Sequence, residues 1–139
     1  MAKLSIVYWS GTGNTEQMAE YIKEGAESAG AEVTVASVDS ADASLADADV
    51  LAFGCPSMGA EEVEAEMEEY IDSVQDKLSG KTVGLFGSYD WGEGQWMADW
   101  KETVEGLGAN VVGDGLIVNL TPEGDDVDAC KNYGGEIVK

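Results

Sequence analysis

Short apolar runs alternate with longer amphipathic segments five times along this chain, and that alternation constrains its fold more than any other feature. Leu4-Ser5-Ile6-Val7-Tyr8-Trp9, Val33-Thr34-Val35-Ala36, Val50-Leu51-Ala52-Phe53-Gly54 and Thr82-Val83-Gly84-Leu85-Phe86-Gly87 each read as a strand. Val111-Val112 and Leu116-Ile117-Val118 bracket a fifth. Between the strands, apolar residues recur at helical spacing over 15–29 (Met18, Ala19, Tyr21, Ile22, Ala26) and over 62–78 (Val63, Met67, Tyr70, Ile71, Val74, Leu78). A further helix is expected over 95–107, a short one over 40–48, and a closing one over 125–138 that Gly134-Gly135 should weaken. Strand-helix-strand connections imply parallel pairing through right-handed crossovers. Strands that are apolar throughout belong in a sheet covered on both faces. The expectation is an α/β protein of three layers, a five-stranded parallel sheet between helices, forming a single domain over 1–139.

Composition narrows the function classes. The 139 residues, 44% of them hydrophobic, are enough for a core without disulfide or metal. No apolar run approaches the roughly 20 residues that span a bilayer. Met1-Ala2-Lys3-Leu4-Ser5-Ile6 enters a strand pattern without a signal-peptide layout, so a cytoplasmic protein is expected. Twenty-eight acidic residues against seven lysines give a formal net charge of -21. Such a surface repels nucleic acid and anionic membranes and attracts basic partners, although solubility or adaptation to salt accounts for the excess equally well. The absence of histidine removes Ser-His-Asp and Cys-His catalysis and the usual zinc sites. Cys55 and Cys130 are therefore expected as buried free thiols.

The loops after strands one, three and four lie at the carboxyl edge of such a sheet, where ligands bind. Ser10-Gly11-Thr12-Gly13-Asn14-Thr15 joins a strand to a helix. Its glycines allow a tight turn, its hydroxyl and amide side chains add donors, and the helix start adds partial positive charge. The set suits a phosphate monoester. A Walker loop would end in Gly-Lys-Ser/Thr, and a dinucleotide fingerprint would place glycine where Glu16 stands. Helix capping alone needs fewer polar residues than this loop holds. In Pro56-Ser57-Met58-Gly59-Ala60-Glu61-Glu62, Met58 offers a polarizable contact for a planar ring and Glu61 an acceptor for a ring N–H, although a loop leading into an acidic first turn explains the segment equally well. In Ser88-Tyr89-Asp90-Trp91-Gly92-Glu93-Gly94, Trp91 is placed to stack on a flat heterocycle. Trp100 is assigned to core packing.

Together these segments resemble the short-chain flavodoxins of anaerobic bacteria. The resemblance runs through 6–16, Gly54-Cys55-Pro56-Ser57-Met58-Gly59, and Val83 to Met97, and it is collinear over nearly the whole chain. It implies a flavodoxin-like sheet of order 2-1-3-4-5. It also implies an FMN-dependent single-electron carrier of low potential, cycling mainly between semiquinone and hydroquinone, with no substrate chemistry of its own. By the same resemblance, Ser10, Gly11, Thr12, Gly13, Asn14 and Thr15 hold the FMN phosphate, with a further donor from Ser88. Met58 and Trp91 flank the isoalloxazine ring, Glu61 accepts from flavin N3–H, and the Gly59-Ala60 peptide turns toward N5–H on reduction. Ser57, Ala60, Tyr89, Asp90 and Gly92 complete the cofactor contacts. The implied partners are basic patches of reductases and low-potential oxidoreductases, met by a monomer.

Two positions depart from the pattern. Ala60 stands where Asp or Ser is common, and Asp90 where Gly is common. A carboxylate at position 90 places charge near the flavin, so Asp90→Gly is expected to raise the potential of the second electron. A redox titration that shows no rise would place Asp90 in solvent. Two other functions on this fold fit less well. A flavin-dependent quinone or NAD(P)H reductase usually needs longer loops, and a receiver-type signalling module needs acids where Ser10-Gly11 and Gly54-Cys55 stand. A module binding some other phosphate ligand would lack the yellow colour of a flavoprotein.

Overall fold

The computed structural model of the chain describes residues 3–9, 13–55, 65–89, 95–113, 115–119 and 123–138. In chain order these form β1 (Lys3–Tyr8), α1 (Asn14–Ser28), β2 (Glu32–Ser37), a 3-10 turn (Ala43–Asp47), β3 (Val50–Gly54), α2 (Ala65–Ser73) and α3 (Gln75–Leu78). The chain continues through β4 (Thr82–Tyr89), α4 (Gln95–Gly106), β5 (Asn110–Val111), β6 (Leu116–Asn119) and α5 (Asp125–Ile137). Every strand pairing is parallel, in the order β2-β1-β3-β4, with β5 and β6 both on the outer side of β4. The order 2-1-3-4-5 is thus present, its fifth position filled by two consecutive segments.

Alternate residues of the central strands point to opposite faces, and each face has its own core. Val7, Leu51, Phe53 and Leu85 pack with Met67, Ile71, Val74, Trp96, Trp100 and Val104 from the helices on one side. Leu4, Ile6, Ala52 and Phe86 pack with Met18, Ile22 and Ala26 of α1 and Cys130, Tyr133 and Ile137 of α5 on the other. Both cysteines are buried thiols outside any disulfide, and Trp100 is a core residue.

The expected helix over 62–78 is broken. Its first residues, 62–64, lie outside the described residues, and Val74 (φ -115°, ψ 11°) separates α2 from α3. Val74 N–H donates to Ile71 C=O at 3.1 Å and Lys77 N–H to Val74 C=O at 2.8 Å, so turns of three residues replace the helical ladder here. Val74 and Leu78 both remain buried, and the apolar spacing therefore continues through the break. Ser88 and Tyr89, where a loop is expected to begin, are part of a strand. They extend β4, because Val118 and Asn119 of β6 pair with them.

Gly134, expected with Gly135 to weaken α5, instead serves a close contact between helices. A Cβ on Gly134 would lie 2.0 Å from Ile22 O, and one on Gly25 would lie 1.8 Å from Lys131 O. The missing side chains let α1 and α5 pack backbone against backbone, and that contact offsets the helix propensity lost at glycine.

The split fifth strand leaves the outer side of β4, away from β3, without a strand partner between Val83, which faces Val111, and Phe86, which faces Leu116. The Tyr133 hydroxyl fills this gap: it accepts from Leu85 N–H at 3.1 Å and donates to Val112 C=O at 3.1 Å. Tyr133→Phe leaves both backbone groups without that partner and is expected to cost about 1–3 kcal/mol, read from urea midpoints. Burial pushes the Tyr133 hydroxyl from 10.0 and the Cys130 thiol from 9.0 up to about 12 each. Both groups are neutral when protonated, and in the unfolded chain both ionise earlier than in the fold. Their contribution is complete below about pH 9 and is lost as pH rises toward 12. Urea midpoints should therefore fall over that window, and less steeply in Tyr133→Phe.

Candidate functional site

The chain leaves β1 for β2 on one side and later returns to place β3 on the other, so the strand order reverses between β1 and β3. In register, Tyr8 lies beside Gly54, and Gly54 lies beside Phe86. Trp9 N–H donates to Gly54 C=O at 2.9 Å, and Cys55 N–H to Phe86 C=O at 3.2 Å. These bonds hold the carboxyl ends of β1, β3 and β4 side by side. The three loops singled out in the sequence thus leave one edge of the sheet, where ligands of open α/β sheets bind.

Gly13 caps α1 with φ +93°, a left-handed conformation in which a Cβ would be strained. The first helical hydrogen bond runs from Gln17 N–H to Gly13 C=O at 3.0 Å. The preceding turn of α1 directs its N–H groups at the same edge, and the helix dipole adds partial positive charge there. Thr15, at 1% exposure, and Ser88, at 4%, bring their hydroxyl oxygens to 3.2 Å from each other beneath that turn. Neutral hydroxyl donors at a helix amino terminus are the donor set that suits a phosphate, and the residues present fit the phosphate end of FMN.

Beside this pair, Gly87 lets β4 approach the end of β3, where a Cβ would lie 2.0 Å from Cys55 O. Trp96 is fully buried, and its ring meets that of Tyr89 at 5.9 Å with a tilt of 51°. Its indole N–H has no acceptor among the described residues. Tyr8 donates from its hydroxyl to Glu16 at 3.1 Å. Burial first, then this bond and the charges of Glu16, Glu20 and Asp39, raise the Tyr8 pKa, so the field at this edge opposes added negative charge.

Of the residues expected in the site, Gly13, Asn14 and Thr15 lie at the start of α1, and Ser88 and Tyr89 at the end of β4. Ser10, Gly11, Thr12, Ser57, Met58, Gly59, Ala60, Glu61, Asp90, Trp91 and Gly92 lie outside the described residues. Sequence reasoning named both Thr15 and Ser88 but missed that they meet, and it missed the close approach at Gly87. Only the apolar, glycine-containing ends of the strands could have hinted at either. Among the described residues, no group of acids and cysteines could hold a metal ion, and no helix is long and apolar enough to cross a membrane.

With this geometry established, comparison with known proteins decides the family. The flavodoxin family model matches residues 6–134. The chain belongs to the flavodoxin family. It is similar to the flavodoxin of Megasphaera elsdenii, with 46% identity over 138 residues covering 98% of each chain. It is also similar to the flavodoxin of Clostridium beijerinckii, with 44% identity covering 96% of this chain and 98% of that one. Among solved structures, the two-electron reduced M. elsdenii flavodoxin superposes with a TM-score of 0.87 at 42% identity, covering 96% of this chain and 98% of that one. A flavodoxin from the domain Archaea gives a TM-score of 0.90 at 30% identity, covering 98% and 96%. As a flavodoxin, the chain is an FMN-binding electron carrier that passes electrons to redox partner proteins, and it is not an enzyme.

Proposed function

We propose that this flavodoxin, a single domain over 1–139, is a low-potential carrier of single electrons. It holds the FMN phosphate at residues 10–15 and the ring between Met58 and Trp91, with Glu61 accepting from N3–H. Ser57, Gly59, Ala60, Ser88, Tyr89, Asp90 and Gly92 line the same site. When bound, FMN supplies the redox chemistry, and the protein supplies position and electrostatics. One observation carries this reading: the buried Thr15 and Ser88 hydroxyls meet under the amino terminus of α1, at the edge where the strand order reverses. The low potential follows from the charge. No lysine lies between Trp9 and Glu16, and the acids that raise the Tyr8 pKa oppose the negative charge that reduction adds to the same edge.

The chain works as a cytoplasmic monomer and docks transiently on basic patches of its partners, as a net charge of -21 favours. The purified protein should be yellow, with flavin absorption bands. Titration of the flavin-free chain should show far tighter binding of FMN than of riboflavin. Equal affinities would remove the phosphate from the reading. Electron transfer to a basic acceptor protein should slow as ionic strength rises, and a rate insensitive to salt would reject the docking model.

A further inference from the structure

We propose that Ser88 is a positioning residue: it donates to the Thr15 hydroxyl and thereby commits the Thr15 proton to an anion at the α1 amino terminus. This inference rests on the reading that the α1 terminus takes the FMN phosphate, and it has Ser88 act on the phosphate through the Thr15 side chain in place of donating to it directly.

Thr15 and Ser88 carry one hydroxyl proton each, and their single mutual contact, at 3.2 Å, uses one of them. Both side chains are more than nine-tenths buried, and neither hydroxyl has another partner among the described residues. Among the described residues one buried O–H is therefore left without an acceptor, and burial makes an unmet donor costly. If Thr15 donated to Ser88, the spare proton would sit in the middle of the sheet edge. If Ser88 donates, the spare proton sits on Thr15, the second residue of α1, where the helix dipole already favours an anion. An anion there selects the second arrangement, and the two bonds polarise each other. The separation of 3.2 Å, long for two hydroxyls, leaves room for the pair to tighten when the outer proton gains its acceptor. Ser88 comes from β4 and Thr15 from α1, 73 residues apart in the chain, so the pairing also ties the helix start to the sheet.

The test uses the full chain, loaded separately with FMN and riboflavin, and dissociation constants from flavin fluorescence. Thr15→Val and Ser88→Ala are each expected to weaken FMN binding about ten-fold while leaving riboflavin unchanged. The double variant should bind FMN about as weakly as Thr15→Val alone, because Ser88 acts only through Thr15. Ser88→Thr, which keeps a hydroxyl, should restore most of the affinity. The proposal is overturned if Ser88→Ala retains FMN affinity, if the two single effects multiply, or if Ser88→Ala weakens FMN and riboflavin alike. Should Thr15→Val itself leave FMN binding intact, the phosphate reading on which the proposal rests fails with it. Multiplying effects would spare that reading and remove only the role given to Ser88.

Discussion

Gly134→Ala is expected to destabilise the protein by about 3 kcal/mol, although alanine is the better helix former by about 1 kcal/mol. The new methyl group would lie 2.0 Å from Ile22 O and 2.9 Å from Ala26 N, both backbone atoms of α1. Backbone cannot rotate out of the way as a side chain can, so α1 and α5 would have to separate. Separation would loosen the core that Met18, Ile22, Cys130 and Tyr133 share. Gly135→Ala provides the control. Its Cβ meets nothing closer than Gly25 O at 3.8 Å, so helix propensity should prevail and stabilise the fold by roughly 0.5–1 kcal/mol. Chemical denaturation of both variants checks the pair. If they shift the midpoint in the same direction, the close approach of the helices does not set their spacing.

Gly87→Ala should damage fold and function together. Its Cβ would lie 2.0 Å from Cys55 O and 3.0 Å from the Trp96 ring, so the ends of β3 and β4 would be forced apart. The overpacking is expected to cost about 2–3 kcal/mol. The same displacement moves Ser88, the next residue, away from Thr15, and it shifts the point at which the loop after β3 departs. FMN affinity should fall at least ten-fold, since misplacing donors by an ångström forfeits most of a charge-assisted hydrogen bond. Denaturation midpoints of the flavin-free chain and flavin titrations separate the two effects. A variant that keeps its FMN affinity despite lost stability would show that the site tolerates movement of β4.

Much of this molecule was legible in the chain. The central strands could be read because a parallel sheet covered on both faces requires apolar residues on both sides, and that leaves unbroken runs such as Val50 to Gly54. The ends of α1 and α4 could be read because Gly30 and Gly108 stop them with φ +96°. The first loop stood out as a candidate phosphate site because its hydroxyl and amide residues are contiguous in sequence.

What escaped the sequence depends on contacts between distant segments. The break at Val74 was invisible because Val74 and Leu78 remain buried on either side of it. Ser88 and Tyr89 belong to a strand only because β6 lies beside them. Gly134-Gly135 reads as a helix defect until α1 is set against it, and Tyr133 reads as an ordinary core aromatic until the gap between β5 and β6 places a bare Leu85 N–H beside its hydroxyl.

The alternation of strands and helices was thus written in the chain itself, because it rests on residue type and local spacing, and on the same ground the first loop reads as a candidate phosphate cradle. Only the tertiary structure decided how closely α1 meets α5, how the split sheet edge is satisfied, and that Thr15 finds Ser88. Those outcomes depend on which backbones can touch and which buried donors find acceptors, and no local pattern encodes either.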